Sequence, residues 1–143
     1  MKQRVPRRTW SSPRLGGRRP RLLIEDGHPA LAISDFSLFQ DAGFDVAFCS
    51  GPGDDPHACP LMRGEPCAAV AGADVVLHGL DPMLGIATAI RHRYPRLPLV
   101  VEQRRRETGS PDALPAGCVP LRYPCSVSGQ IDALMGALAD ADR

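Results

Sequence analysis

The sequence predicts an α/β fold built on a parallel sheet, and two observations carry that prediction. Short apolar runs alternate with helical stretches from residue 22 to the end of the chain. The runs are rich in aliphatic and β-branched side chains, which is typical of strands that are covered on both faces. Five such units in about 120 residues predict a flavodoxin-like, doubly wound parallel sheet with the strand order 2-1-3-4-5.

The five predicted strands are short and separated by turn residues. They span residues 22–25, 46–49, 74–78, 97–101 and 117–121. The first three end in a polar residue or a cysteine, which places chemistry-bearing side chains at the carboxyl edge of the sheet. In doubly wound folds, ligands bind outside that edge.

Three helices follow from apolar positions at helical spacing. The first begins at Pro29, because proline fits a first helical turn, and it stops at Gly43. The next spans 82–94, and the last begins near Ser126. The predicted apolar faces are Ile33, Phe36 and Phe39 in the first, Met83, Ile86, Ala87 and Ile90 in the next, and Ile131, Leu134, Met135 and Leu138 in the last.

Two of the connections depart from the strand-and-helix rhythm. Residues 50–73 replace most of the expected second helix with a loop that contains cysteine, leaving only 68–71 for a helical turn. Residues 104–116 hold two prolines and a glycine and hardly permit a full fourth helix.

The charge of the chain is divided between a basic arm and an acidic domain. Residues 1–21 carry eight of the 17 basic side chains and no acidic one, whereas the other 122 residues hold nine basic and 16 acidic groups. The composition predicts a disordered arm over 1–20 and one domain over 21–143. The basic stretch 2–21 is suited to nonspecific phosphate contacts with a nucleic acid, or it is a dispensable tail.

No stretch of the sequence reaches the ~18 consecutive apolar residues of a membrane span, and the arm has no apolar run of a signal peptide. We therefore expect no membrane association and a cytoplasmic location. Thiols stay reduced there, so clustered cysteines more often bind metal or take part in redox chemistry than form disulfides.

Three of the five cysteines fall within residues 49–67, a segment with four prolines and three glycines. Cys49, Cys59 and Cys67 can converge if the turns fold this segment back, with His57 close by in sequence. Thiolates with an imidazole suit zinc or an iron–sulfur cluster. The fourth ligand is open between His57, His78, His28 and Cys125, although the strand order places strand five, which precedes Cys125, far from strand two.

The spacing Cys-x9-Cys-x7-Cys leaves two other interpretations open, since no CxxC pair strengthens the metal hypothesis. The three thiols suit redox sensing as well. They also suit a small-residue role in an irregular loop, because free cysteine often behaves as a buried hydrophobe. Cys118 falls inside the predicted fifth strand, where a core role is the simplest expectation.

Four stretches carry a recognisable pattern: RLLIEDGHP, ADVVLHGLDPMLG, LPLVVEQ and LRYPCSVSGQIDALMGAL, which together span roughly residues 20–140. Taken together they resemble the receiver domain of bacterial response regulators. In that family an acidic pair holds Mg²⁺ and an aspartate on strand three accepts a phosphoryl group. A hydroxyl residue after strand four and a lysine before a proline after strand five couple phosphorylation to a change of surface. The metal and the lysine neutralise the phosphoryl oxygens during attack.

Taken position by position, the resemblance keeps only the acidic pair, Glu25 and Asp26. Gly79 takes the place of the acceptor aspartate, Gln103 that of the hydroxyl residue and Tyr123 that of the lysine. The resemblance therefore implies a degenerate, pseudo-receiver domain that is not phosphorylated.

Asp81 lies near the missing acceptor but past the strand end, beside Pro82. With Glu25 and Asp26 it would form the vestige of an acidic pocket. The acidic pair also has a purely structural interpretation, because carboxylates at a strand end favour the N-terminus of the helix that follows.

Three functions compete on this evidence. The first is a non-catalytic regulatory module that responds to a metal, an iron–sulfur cluster or thiol redox state and acts through a protein partner or self-association. The second is a structural or protein-interaction domain with inert cysteines. An enzyme with a thiol nucleophile ranks last, since no motif pairs a histidine with a cysteine.

Overall fold

The computed structural model describes residues 10, 19–104 and 114–142, and for residues 29–33 and 104 the backbone alone. Within these residues five parallel strands form one sheet in the order β2-β1-β3-β4-β5. The predicted fold and strand order are thereby confirmed. The strands are β1 (Arg21–Asp26), β2 (Asp45–Cys49), β3 (Val75–Gly79), β4 (Leu99–Arg104) and β5 (Val119–Tyr123).

In the described part of the chain four helices cover the sheet: α1 (Pro29–Asp41), α2 (Ala68–Ala71), α3 (Ile86–Arg93) and α4 (Val127–Ala141). Helix α1 begins at the predicted proline, and Gly43 takes a positive φ of 107° just after its end. Helix α4 is capped by Ser126, whose Oγ accepts a hydrogen bond from the Gly129 N–H at 3.0 Å. Within the part of the chain that the structure describes, no helix has the length and apolar character needed to span a membrane.

The connection from β2 to β3 has the irregular form that the sequence predicts. Two short 3₁₀ turns, Pro56–Ala58 and Pro60–Arg63, precede the four-residue helix α2. Asp55 begins the first turn by accepting a hydrogen bond from the His57 N–H at 3.0 Å. Gly64 ends the second turn with a φ of 74°, a left-handed conformation that glycine adopts at little cost.

The predicted helix over 82–94 is wrong in its first turn. Pro82–Leu84 forms a 3₁₀ turn, Gly85 takes a φ of 73°, and only then does α3 begin. Met83 is consequently 78% exposed and lies outside the apolar face to which the spacing assigned it. Ile86 and Ile90, the other large members of that face, are buried as expected.

The fifth strand lies two residues later than predicted. Gly117 has a φ of 80° and belongs to the turn that precedes β5. The predicted shortage of helix over 104–116 concerns residues 105–113, which lie outside the described part of the chain.

The core consists of two clusters, one on each face of the sheet, because successive strand residues point to opposite faces. The first lies between the sheet and helices α1 and α4, and the second between the sheet and the elements from residue 59 to α3. The first contains Leu22, Ile24, Phe39, Val75, Leu77, Val100 and Leu134, and the second Leu23, Leu61, Val70, Val76, Ile86, Ile90, Leu99 and Val101.

Trp10 packs against the second cluster, although it belongs to the predicted arm. Its indole N–H donates a hydrogen bond to the Ala69 carbonyl at 2.8 Å, and the Arg21 guanidinium lies 5.2 Å from the ring centre. The ring lies directly against Gly72, so closely that a Cβ there would overlap it. Trp10 is thus attached to helix α2. The predicted disorder of the rest of the arm concerns residues 1–9 and 11–18, which are not among the described residues.

Candidate functional site

The carboxyl ends of β1, β3 and β4 lie side by side. The acidic pair, Glu25 and Asp26, therefore lies beside the end of β3. The register pairs Glu25 with His78 and Asp26 with Gly79. Gln103 lies near the end of β4, one strand further along the sheet, and its side chain is half-buried. Tyr123 ends β5 and precedes a cis peptide bond to Pro124. The five positions that the resemblance singled out on the strands therefore share one edge.

Glu25 and His78 form a buried pair. Glu25 Oε1 lies 2.7 Å from His78 Nδ1, and the two side chains are 4% and 1% exposed. The other ring nitrogen of His78, Nε2, is buried without a hydrogen-bond partner among the described residues. The glutamate of the acidic pair is therefore engaged with a neighbouring strand.

The space beside Gly79 is occupied by a carboxylate from another strand. A Cβ built on Gly79 would lie 3.1 Å from Glu102 Oε2 and 3.2 Å from the Glu25 carbonyl oxygen. Glu102 Oε1 in turn accepts a hydrogen bond from Gln130 Nε2 of α4 at 3.2 Å. Glu102 thus lies where an acceptor side chain on β3 would begin.

Asp26 and Asp81 are both used in local turns. Asp26 Oδ1 accepts a hydrogen bond from the His28 N–H at 2.8 Å, and Asp81 Oδ1 accepts one from the Met83 N–H at 2.9 Å. Such bonds between an aspartate and the backbone two residues later are typical of turn initiation. Asp81 therefore begins the Pro82–Leu84 turn, which accounts for its place beside the proline.

The residues at this edge do not fit the Mg²⁺ that the resemblance implies. Glu25 is bound to His78, and Asp26 is bound to its own turn. A cation of this type needs several oxygen ligands around one point. Across residues 10, 19–104 and 114–142, no three His, Cys, Asp or Glu side chains are grouped closely enough to hold a metal ion.

The three loop cysteines line one cavity of about 330 Å³. It lies between the 50–69 segment and the second face of the sheet, at the carboxyl edge. Cys49, Cys59 and Cys67 are all half-buried, and Cys49 Sγ accepts a hydrogen bond from the Gly51 N–H at 3.4 Å. Most of the wall is apolar, and Glu25 contributes its one carboxylate. The other lining residues are Phe48, Gly51, Pro52, Pro60, Leu61, Pro66, Ala68, Ala69, Leu80 and Ile86.

The structure separates the candidate metal ligands into different places. His57 lies on an exposed turn and does not line the cavity, whereas His78 is buried against Glu25. Cys118 lies one residue before β5 and not inside the strand as predicted; it is half-buried and packs on the second cluster, with its sulfur 3.8 Å from an Arg91 nitrogen. Cys125 lies against Gly129 at the start of α4. The zinc or iron–sulfur hypothesis therefore stays a prediction.

Two features of this edge did not emerge from the sequence, the Glu25–His78 pair and the position of Glu102. The predicted order places β1 beside β3, and both residues of the pair occupy the ends of those strands. The equivalent positions of the two residues at the ends of adjacent parallel strands could therefore have predicted the contact between them. Glu102 gave no comparable signal, because the direction of its side chain depends on contacts with α4.

Solved structures of low sequence identity share this architecture. A receiver domain protein from Clostridium thermocellum is 15% identical with a TM-score of 0.61, over 86% of this chain and 97% of that one. A receiver protein from Sinorhizobium medicae is 19% identical with a TM-score of 0.59, over 86% and 97%. An adenylate cyclase structure from Rhodopirellula baltica is 16% identical with a TM-score of 0.57, over 87% and 90%.

The chain has the receiver fold. At these identities the likeness establishes the fold alone, and what the neighbours do is not transferred with it. No protein-family model and no curated protein matches the sequence. What the receiver fold does in this chain must therefore be argued from its own residues.

Proposed function

We propose that this protein is a non-catalytic regulatory module of receiver fold, in which the thiols of the cysteine cavity replace a phosphorylated aspartate as the point of input. The observation that carries the proposal is the environment of Gly79. The acceptor position has no side chain, and the carboxylate of Glu102 lies against it.

Loss of phosphorylation is supported by the groups around Gly79. A phosphoryl group carries negative charge, and its stabilisation requires cations or hydrogen-bond donors aimed at its oxygens. The corresponding space here is bordered by the Glu102 carboxylate and the Glu25 carbonyl oxygen, which would repel it. Tyr123 stands where a receiver has its lysine, and Lys2 is the only lysine of the sequence.

Input through thiols is supported by the position of the cysteines. Three of them surround one cavity at the edge where doubly wound folds bind ligands. Oxidation of one such thiol by hydrogen peroxide yields a sulfenic acid and water, and the sulfenic acid adds a polar oxygen to an apolar site. The scattered histidines favour this form over zinc or an iron–sulfur cluster. Elemental analysis of wild type and of Cys59→Ser, both purified without oxygen, distinguishes thiol oxidation from metal binding, because only a metal site would give zinc or iron that the variant loses.

Output is supported by the link between the cavity and Trp10. Cys67 immediately precedes α2, and the second residue of that helix, Ala69, both lines the cavity and holds the indole through its carbonyl. A change in the cavity that moves α2 would therefore alter the attachment of Trp10. We propose that the surface changed in this way contacts a protein partner or a second copy of the chain, with the basic stretch 2–21 available to a nucleic acid.

The second candidate function is a protein-interaction domain with inert cysteines. It is favoured by one observation: Cys49, Cys59, Cys67 and Cys118 all pack against the second core cluster. Half-buried thiols in such a cluster can serve as small hydrophobes without any further role. The two candidates differ in whether modification of these thiols changes the conformation at α2.

Incubation with acetyl phosphate and Mg²⁺ is expected to leave the intact mass of the protein unchanged, because residue 79 carries no carboxylate of its own and the Glu102 carboxylate beside it would repel a phosphoryl group. An unrelated receiver domain with its aspartate in place serves as the positive control in the same reaction. A phosphoryl adduct that hydroxylamine removes would contradict the proposal, since that chemistry identifies an acyl phosphate. Asp26→Asn and Asp81→Asn would then locate the acceptor.

A further inference from the structure

The lining of the cysteine cavity selects for a particular kind of ligand. Its volume of about 330 Å³ lies at the lower end of small-molecule sites. Three prolines and several aliphatic side chains form most of the wall. Among the described residues that line it there is no lysine or arginine, and Glu25 is the one acidic residue. A phosphate or a carboxylic acid would lose its hydration there without gaining a cation, so the cavity favours an uncharged apolar molecule.

The three thiols give the cavity a reactivity that an apolar pocket lacks. Cys49, Cys59 and Cys67 approach it from the end of β2, from the turn segment and from the residue before α2. Thiolates are soft nucleophiles whose rates depend on access and thiolate content. Because the three cysteines stand on three different segments around the lining, capture does not depend on a single thiol.

We propose that the cavity captures small, uncharged α,β-unsaturated carbonyl compounds, and that this capture is a second route, beside oxidation, to the thiol input proposed above, on which this inference rests. The cysteine sulfur forms a bond to the β-carbon of the alkene, and the carbon–carbon π bond is used. The proton released by the thiol ends on the α-carbon. The addition needs no oxidant, reductant or further reactant.

The test compares two maleimides of matched shape on the folded protein. N-Phenylmaleimide is uncharged, whereas 4-maleimidobenzoic acid adds one carboxylate to the same ring. Peptide mass mapping gives the alkylation rate at each of the five cysteines. We expect the ratio of the two rates at Cys49, Cys59 or Cys67 to exceed that at Cys118 and Cys125 by about tenfold or more, because a carboxylate is costly to bury in an apolar site.

A matched pair of variants on α2 locates the reaction in the cavity. Ala68 is exposed and belongs to the cavity lining, whereas Ala71 lies on the same helix outside the lining. Ala68→Phe is expected to slow N-phenylmaleimide at the cavity thiols, and Ala71→Phe to leave those rates as in wild type. Circular dichroism of both variants establishes that they fold.

Equal rate ratios at all five cysteines, or equal effects of the two alanine variants, would overturn the inference. Failure of the inference is distinguishable from failure of the proposed function. If a smaller thiol reagent still alters the environment of Trp10, the thiols remain an input and only the ligand class is wrong. If no thiol reagent does so, both proposals fail.

Discussion

His78→Leu is expected to lower the free energy of unfolding by about 2–4 kcal/mol, although leucine has a similar volume. The substitution removes the hydrogen-bond partner of Glu25, whose side chain is only 4% exposed and would be left unpaired in an apolar site. Urea denaturation monitored by circular dichroism measures the change.

Two further variants test whether the loss of stability comes from the unpaired Glu25 carboxylate. His92→Leu alters an exposed histidine of α3 and is expected to change stability by less than about 0.5 kcal/mol. The double variant Glu25→Leu with His78→Leu removes both polar groups and is expected to recover much of the loss. A His78→Leu protein as stable as wild type, or a double variant less stable than the single one, would show that the pair does not hold this edge together.

Gly72→Ala is expected to displace Trp10 from α2. A Cβ at residue 72 would lie 2.6 Å from the indole Nε1, which is too close for any contact of this kind. The backbone itself accepts alanine, because Gly72 has a φ of −88°. Trp10 is the only tryptophan of the chain, so its fluorescence is expected to shift to the red as the ring enters water and loses its bond to Ala69.

The control is Gly136→Ala in α4, where no neighbouring atom lies within 4 Å of an added Cβ. It is expected to leave the emission unchanged and to stabilise the helix by up to about 1 kcal/mol. An emission maximum in Gly72→Ala identical to that of wild type would contradict the attachment of Trp10 to α2.

The sheet was predictable because each strand is encoded by a short stretch of sequence and the same pattern recurs five times. Each strand is a short aliphatic run, and the alternation with helices leaves few topologies. The irregular second connection was also predictable, since prolines and glycines at 51–66 exclude a regular helix. The error at 82–94 has a different origin. Pro82 suits the first turn of a 3₁₀ helix as well as an α-helix, and apolar spacing does not report the left-handed conformation of Gly85.

The candidate site was predictable in its location and less so in its contacts. Parallel strands end at one edge, so the acidic pair had to lie near the end of β3. Whether Glu25 would meet a metal or His78 depends on side-chain direction, which no sequence pattern gives. For the same reason the spacing of the cysteines predicts proximity but does not distinguish a cavity wall from a set of metal ligands.

Trp10 fluorescence during thiol modification measures most directly where signals enter this protein. Methyl methanethiosulfonate converts a thiol to a methyl disulfide with release of methanesulfinate, and dithiothreitol reverses it. The reference is the variant Cys49→Ser, Cys59→Ser, Cys67→Ser, which keeps Cys118 and Cys125. We predict a reversible emission shift in wild type, none in the variant, and none in either with acetyl phosphate and Mg²⁺. A Trp10 emission maximum that the thiol reagent leaves unchanged, or that shifts with acetyl phosphate, would contradict input through the cysteine cavity.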